Sequence, residues 1–434
     1  MDPWQNSWDL PPLPPKRRRG RGLTGLLTVL VSLLLIVVVV LVAVGLLGGV
    51  VDFGVNGRTG LQAQTTQAPE YTFPPRAPGE PPRLPLAGRV RGHYQRLAPE
   101  EQRAYDIILA QLPGFPEEIE IPHLGANGVS DVFYALLRDN PMIFHLSSES
   151  ITRSRGEKTW FCPAYRMDAA EYERRCLELE SACAAVAAAI PEGASEFERE
   201  LACHDAITRG CDYRYTGDDP DENTAYGALV RGKAACEGYA RALLLLLDQQ
   251  GIDSVVVTGN ATNSAGDTSK HAWNKVRVDG DWYHVDITWN DPVSENGASS
   301  RGLLHSYFNL SDAEMGLSHE LLPDDRPCLA SKANFFAVRG LLFDRIDKDA
   351  EATLARALAD AVNRGEYLLE LRCMDKAGYE SAVRKLFGEG EDEQRVYRIL
   401  SNANLAADRK ISSQKVGFTD VKSLYILQIL PVVE

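Results

Sequence analysis

The stretch spanning residues 232–240 places a cysteine where a thiol becomes reactive. Its sequence is Gly-Lys-Ala-Ala-Cys-Glu-Gly-Tyr-Ala, and the leucine-rich run 240–248 that follows predicts a buried helix with a glycine stop at Gly251. Cys236 therefore falls at the helix N-terminus, where unpaired amides and the positive end of the helix dipole lower the pKa of a thiol. Because a thiolate attacks carbonyl carbon, this stretch predicts a nucleophile for acyl transfer.

A β-hairpin is predicted downstream, over residues 271–289. Asp279-Gly280 between alternating residues is a strong hairpin signal, since a two-residue turn needs positive φ. Pairing Val278 with Asp281 fixes the register. One face is then apolar and carries Ala272, Val276, Val278, Tyr283, Val285 and Ile287. The other face carries His271, Trp273, Lys275, Trp282, His284, Asp286 and Thr288.

This register makes His271 and Asp286 diagonal neighbours on one face, where the carboxylate can orient the imidazole. Packing the helix start against this face brings together a nucleophile (Cys236), a general base (His271) and an orienting acid (Asp286). A single cysteine is far more often a core residue, and a single strand histidine or aspartate usually lies at the surface. The prediction of a thiol acyl-transfer site therefore depends on the combination.

Several nearby residues are candidates for supporting roles. Tyr226 is a candidate hydrogen-bond donor to the oxyanion alongside the backbone amide of Cys236, although a structural tyrosine is the more common interpretation. Three tryptophans are expected to line the cleft, Trp273, Trp282 and Trp289. His284 is expected to point at solvent or at a wall of the cleft. No Cys or His pairs stand at metal-ligand spacing, so neither a metal nor a cofactor is predicted.

The same residues resemble the transglutaminase-like superfamily, particularly its bacterial members. The motifs are Cys-Glu-Gly-Tyr-Ala at 236–240, His-Ala-Trp-Asn at 271–274 and Tyr-His-Val-Asp-Ile-Thr-Trp at 283–289, within a resemblance that covers 195–292. It implies a papain-like α+β fold with Cys236 as nucleophile, His271 as general base and acid, and Asp286 as orienting residue. Crosslinking animal members usually have Gly-Gln-Cys-Trp, whereas this chain has Ala-Ala-Cys-Glu, so hydrolysis is favoured over crosslinking.

The N-terminal sequence predicts a single-pass membrane anchor. Residues 23–51 contain no charge, and about 20 apolar residues span a bilayer, whereas the apolar region of a signal peptide has only about 7–15. Five basic residues between 16 and 21 precede this segment, so the positive-inside rule predicts a cytoplasmic tail (1–22) and an extracellular C-terminal region at the cell membrane. The proline-rich segment 52–88 is predicted to be a stalk.

The remainder predicts an α+β region of three modules, 89–166, 167–330 (catalytic) and 331–434. The first module is predicted to contain helices at 99–112 and 129–138 and a strand at 142–146, and the last is predicted to begin with a strand at 335–343. Ser195 with Glu198 three residues on predicts a capping box. The chain has 434 residues and a formal net charge of −14, and an acidic surface of this kind repels nucleic acid. Four cysteines lie in a predicted antiparallel helix pair, 168–190 and 195–210. Their positions allow the disulfides Cys183–Cys203 and Cys176–Cys211, or four small core residues, and both interpretations stay open.

Two functions of different class fit these patterns. The favoured one is a membrane-anchored extracellular thiol acyl-transfer enzyme that acts on peptide or isopeptide amides of cell-envelope polypeptides. The alternative is a non-catalytic envelope binding or scaffold protein that retains the fold. The intact Cys236, His271 and Asp286 favour the enzyme.

Overall fold

The computed structural model describes residues 90–156, 158–291, 303–323, 326–388, 390 and 394–433. The predicted cytoplasmic tail, membrane helix and stalk lie outside these ranges. Within them, no helix is long and apolar enough to cross a bilayer. The described chain has a mixed α+β architecture, as predicted, in which helices pack against small sheets.

Residues 90–166 combine two helices with a small antiparallel sheet. The elements are α1 (Pro99–Gln111), β1 (Ile119–Ile121), α2 (Ala126–Asp139), β2 (Ile151–Arg155) and β3 (Lys158–Cys162). The sheet order is β1-β3-β2, and its apolar side packs on both helices around Tyr105, Leu136 and Phe161. Both helices were predicted from their apolar spacing. The strand predicted at 142–146 is not formed, because this apolar run is buried between two clusters and makes only an isolated bridge from Leu146 to Tyr165.

The predicted helix pair is present as α3 (Ala169–Ala189) and α4 (Glu196–Gly210). The side chains of Ser195 and Glu198 form the expected capping box at the start of α4. All eight cysteines are free thiols, and the four in this hairpin are buried in one apolar cluster. The interpretation as core residues is therefore confirmed, and the two disulfides are not formed.

The central part of the chain packs a leucine-rich helix on a three-stranded sheet. Its elements are β4 (Asp212–Tyr213), α5 (Ala225–Leu229), β5 (Lys233–Ala234), α6 (Cys236–Gln249), β6 (Ser254–Thr262), β7 (Thr268–Val278) and β8 (Asp281–Val285). The sheet order is β6-β7-β8, and Val278 pairs with Asp281, so the predicted hairpin register is confirmed. All five leucines of α6 are buried: four lie in a cluster with residues of the predicted apolar face, including Val276 and Tyr283, and Leu244 packs with Ala240 and Val256.

The second strand of the predicted hairpin, β8, is shorter than expected. Its pairing ends at Val285, because the side chain of Asp286 accepts a hydrogen bond from the backbone N–H of Trp289 and starts the one-turn helix α7 (Ile287–Asn290). The short helix α8 (Asp312–Met315) follows. The polar face of the hairpin is also buried, because residues after Tyr307 and the C-terminal part cover it around Trp273.

The C-terminal part forms a second α+β layer. Its elements are α9 (Phe335–Val338), β9 (Leu342–Phe343), α10 (Lys348–Asn363), β10 (Leu369–Cys373), α11 (Lys376–Phe387), α12 (Arg395–Ala403), β11 (Ile411–Val421) and β12 (Ile426–Val433). The sheet order is β11-β12-β10-β9, with β9 parallel and the others antiparallel. The strand predicted at 335–343 is wrong over its first half, because the Asn334 side chain caps Phe336 N–H and starts a helical turn.

Candidate active site

The cysteine lies at the first residue of α6, as the sequence predicted. Cys236 is half-buried, and Ala235 before it is extended and donates its N–H to the carbonyl of Glu222 at 2.7 Å. A Cβ on Gly238 would lie only 2.4 Å from the same carbonyl, so the glycine of the Cys-Glu-Gly motif allows the helix to approach this segment. The first amides of a helix have no intrahelical acceptor, so the thiol lies beside unpaired backbone N–H groups at the positive end of the helix dipole.

The structure joins all three predicted residues through one imidazole. His271 on β7 donates from Nε2 to Oδ2 of Asp286 at 2.7 Å, and it also makes a hydrogen bond with the side chain of Cys236. Since Nε2 faces the carboxylate, Nδ1 is the ring nitrogen left for sulfur. Asp286 is fully buried and His271 nearly so, whereas the cysteine is partly accessible. The arrangement suits attack by sulfur on an external carbonyl.

The electrostatics favour a charged imidazole beside the thiol. Burial opposes the imidazolium, but the carboxylate of Asp286 and the hydrogen bonds to Asp286 and Cys236 outweigh it and raise the pKa of His271. Burial likewise opposes the carboxylate, but the neighbouring imidazoles lower the pKa of Asp286. A proton on His271 and a negative charge on sulfur therefore stabilise each other, which is the ionisation state that a thiol nucleophile needs.

Two further residues, which the sequence did not predict, lie at the site. His319 donates from Nε2 to Oδ2 of Asp286 at 3.1 Å and is completely buried. Tyr213 on β4 lies within electrostatic range of Cys236, and burial followed by this neighbour raises the pKa of its phenol, which keeps the hydroxyl protonated. Neither stands at a recognisable spacing from the motifs.

The three predicted cleft tryptophans have different surroundings. Trp273 is buried and its ring is stacked near His271, with centroids 6.1 Å apart. Trp289 is half-buried, and its ring centroid lies 5.8 Å from that of His271. Trp282 is not brought to the site: it pairs with Arg277, about 20 Å along β7 from His271, because it stands next to the hairpin turn. Two of the three therefore flank the imidazole.

Tyr226 is placed differently from expectation, and of the two alternatives for His284 the solvent-facing one is wrong. The hydroxyl of Tyr226 donates to Oε2 of Glu178 at 2.6 Å, so its proton is directed away from the site and the oxyanion role is withdrawn. His284 is buried rather than solvent-facing, because Nδ1 accepts from the indole N–H of Trp273 at 2.9 Å and Nε2 donates to Asp312 at 2.8 Å.

The described residues include three groups of side chains whose ligand atoms converge closely enough for a metal. They are His204 with Asp205 and His305, His284 with Asp312 and Cys328, and His271 with Asp286 and His319. In the first, Asn290 Oδ1 accepts from the N–H of Tyr307, so its Nδ2 donates to Nε2 of His204. His204 therefore carries its proton on Nδ1, directed at Asp205, and offers no lone pair to an ion.

The other two groups are explained in the same way. The indole of Trp273 is a donor only, so the proton of His284 is on Nε2 and is directed at Asp312. In the third group, the 2.7 Å between His271 and Asp286 is shorter than the edge of about 3.3 Å expected between two ligands of a tetrahedral zinc ion. Hydrogen bonds account for all three groups.

One family model matches the part of the chain that contains the site. Residues 184–287 match the model of the transglutaminase-like superfamily. The predicted resemblance is thereby confirmed for a segment that contains Cys236, His271 and Asp286. His319 and the C-terminal layer lie outside it. A search of curated proteins found no match.

Three solved structures are similar to parts of the chain. A transglutaminase is 14% identical over 42% of this chain and 53% of its own length, with a TM-score of 0.25. A candidate cysteine protease from Cytophaga hutchinsonii is 14% identical over 37% of this chain and 71% of its own, with a TM-score of 0.22. A candidate protease from Parabacteroides distasonis is 16% identical over 32% and 30%, with a TM-score of 0.19. The chain thus spans about half the length of the transglutaminase.

Proposed function

We propose that the protein is a thiol acyl-transfer enzyme that hydrolyses peptide or isopeptide amides. The observation that carries the proposal is the position of His271, which contacts the Cys236 side chain and, at 2.7 Å, Asp286. The half-buried sulfur is accessible from outside, whereas the imidazole and the carboxylate are shielded from water. This combination supports a preformed thiolate–imidazolium pair rather than a core cysteine.

The reaction runs in two balanced steps. The sulfur of Cys236 bonds to the amide carbon, the C–N bond breaks, and His271 gives its proton to the leaving amine. Water then attacks the thioester while His271 takes its proton, and the C–S bond breaks to restore the thiolate. Asp286 keeps the imidazole oriented in both steps. The first-turn amides of α6 and the protonated hydroxyl of Tyr213 are the donors proposed for the oxyanion.

We place this activity outside the cell, on envelope polypeptides. The support is in the sequence: an uncharged segment at 23–51 follows a basic cluster and precedes the proline-rich segment 52–88. Alkaline extraction of membranes tests the membrane anchor on which this placement depends. The protein is expected in the membrane pellet, and a variant without residues 23–51 in the soluble fraction.

Turnover of envelope-derived peptides by the purified chain tests the enzyme proposal. We expect cleavage that is lost in Cys236→Ala and in His271→Gln but retained in Cys373→Ala, a matched control at a buried thiol on β10. Adding a fluorescent primary amine separates hydrolysis from crosslinking, because only crosslinking attaches the amine to substrate. Cleavage that is equal in Cys236→Ala would remove the proposal, and specific peptide binding without cleavage would favour the scaffold alternative.

A further inference from the structure

Two imidazoles share one carboxylate oxygen in this site. Oδ2 of Asp286 accepts from Nε2 of His271 at 2.7 Å and from Nε2 of His319 at 3.1 Å. We propose that His319 is a positioning residue for the reaction. Its N–H fixes the carboxylate of Asp286, so that His319 and His271 together stabilise the negative charge of this carboxylate. The proposal rests on the proposed function of the Cys236 site.

The protonation of His319 follows from its hydrogen bonds. Its Nε2 faces the carboxylate of Asp286, which only accepts, so this nitrogen carries the proton. Its Nδ1 lies 2.9 Å from Oγ of Ser318, and the same hydroxyl lies 3.5 Å from the hydroxyl of Tyr307. The Nε2–H of His319 is therefore committed to Asp286.

The ring of His319 is held rigidly by aromatic neighbours. Its centroid lies 4.9 Å from Trp273, 4.5 Å from Trp289 and 5.8 Å from Tyr307. The two tryptophans also flank His271, so both imidazoles occupy one enclosed space. A buried ring with this enclosure keeps its hydrogen bond through the catalytic cycle, even when the proton of His271 moves.

The backbone around residue 319 is fastened to β6. The N–H of Thr262 donates to the carbonyl of Ser318 and that of Glu320 donates to the carbonyl of Asn260, both at 2.8 Å. A Cβ on Gly259 would lie 2.5 Å from the carbonyl of Glu320, so this close approach requires glycine. The segment is therefore built onto the same sheet that carries the catalytic histidine, although it lies far along the chain.

The direction of the effect on His271 follows from charge balance. When His271 is neutral, Asp286 carries an uncompensated buried charge and depends most on the donor from His319. When His271 is protonated, the imidazolium already stabilises that charge. Loss of the His319 donor therefore destabilises the neutral state of His271 more than its protonated state and raises its pKa. The imidazole then gives its proton to the leaving amine less readily.

A pair of His319 variants isolates this effect. His319→Met removes the donor while keeping the volume roughly constant, and His319→Gln can place an amide N–H near the position of Nε2–H. The pKa of His271 is read from nitrogen chemical shifts of 15N-histidine-labelled full-length protein, with His271→Gln used for assignment. The other ionisable groups that face this cluster are Cys236, Tyr213, Tyr307 and His284, and they are unchanged in both variants.

We expect the pKa of His271 to rise by about 0.5–1 unit in His319→Met and to return to near the wild-type value in His319→Gln. We also expect kcat to fall in His319→Met by at most about three- to tenfold with KM nearly unchanged, because the proton-transfer step and not binding is altered. An unchanged pKa in His319→Met, or equal shifts in both variants, would overturn the proposal.

Two further outcomes keep the test decisive. If His319→Met does not fold, the nitrogen chemical shifts of His319 in the labelled wild-type protein replace it: its Nε2 should stay protonated and hydrogen-bonded to Asp286 while His271 titrates, and a ring whose Nε2 carries no proton would overturn the proposal. If the pKa of His271 responds to His319 while the wild type cleaves no substrate, the proposed function fails and the positioning role stands. If the wild type cleaves substrate while the pKa of His271 does not respond, the positioning role fails and the proposed function stands.

Discussion

Replacing His145 by phenylalanine is expected to make the protein markedly less sensitive to acid. His145 is buried, its ring lies among Phe115, Tyr165 and Tyr172, and both ring nitrogens lack a hydrogen-bond partner among the described residues. Burial first, and the nearby Arg166 second, lower the pKa of His145 to about 3. The folded protein therefore keeps this imidazole neutral where the unfolded chain takes up a proton.

The size of the effect follows from linkage. The ordinary histidine pKa is about 6.5, so the contribution of His145 to stability is complete above pH 6.5 and is lost progressively as the pH falls toward 3. Each pH unit in this window costs about 1.4 kcal/mol for one proton, so lowering the pH to 5 costs about 2 kcal/mol. A phenylalanine at this position does not titrate, so the variant does not lose this stability in acid.

Urea unfolding at pH 8 and pH 5 measures the difference. Between these pH values, the free energy of unfolding of His145→Phe should fall by about 2 kcal/mol less than that of the wild type. Tyr165→Phe is the matched control, because it alters the same aromatic group while its phenol stays neutral throughout, its pKa being raised by burial to about 12. Parallel loss of stability in the wild type and His145→Phe would refute the reasoning.

Two other substitutions test buried polar groups. Burial raises the pKa of Glu200 to about 8 despite a hydrogen bond from Asn309, so the contribution of this carboxyl to stability is complete below pH 4.5 and is lost as the pH rises toward 8. In urea unfolding, the free energy of unfolding of Glu200→Gln relative to the wild type should therefore be roughly 3 kcal/mol higher at pH 8 than at pH 5. A difference between the two proteins that does not change with pH would contradict this. Trp273→Phe removes the donor to Nδ1 of buried His284 and should lower the free energy of unfolding by about 1–3 kcal/mol, whereas Trp282→Phe should cost less.

The hairpin was predictable because its constraints are local. The Asp279-Gly280 turn and the alternation of Val276, Val278, Tyr283 and Val285 permit one register that buries the apolar set, and the structure has that register. The helix that begins at Cys236 was predictable for the same reason, since a leucine-rich run followed by a glycine predicts a buried helix that ends at that glycine.

The predictions were wrong where a side chain caps a helical turn and where segments distant in the sequence come into contact. Asp286 and Asn334 each cap a helical turn, which ended one predicted strand early and replaced half of another. His319 is brought to Asp286 by pairing of residues 318–320 with β6, which no spacing along the chain reveals. The burial of His284 likewise depends on segments after residue 307 that cover the polar face of the hairpin.

The reaction rate of Cys236 with iodoacetamide at pH 6, with adducts mapped by mass spectrometry, tests the central claim most directly. A thiolate stabilised by His271 and the start of α6 should react at least about tenfold faster than the same cysteine in the urea-unfolded chain, and Asp286→Ala should remove most of that advantage. A rate for Cys236 no greater than that of the unfolded thiol would contradict the account.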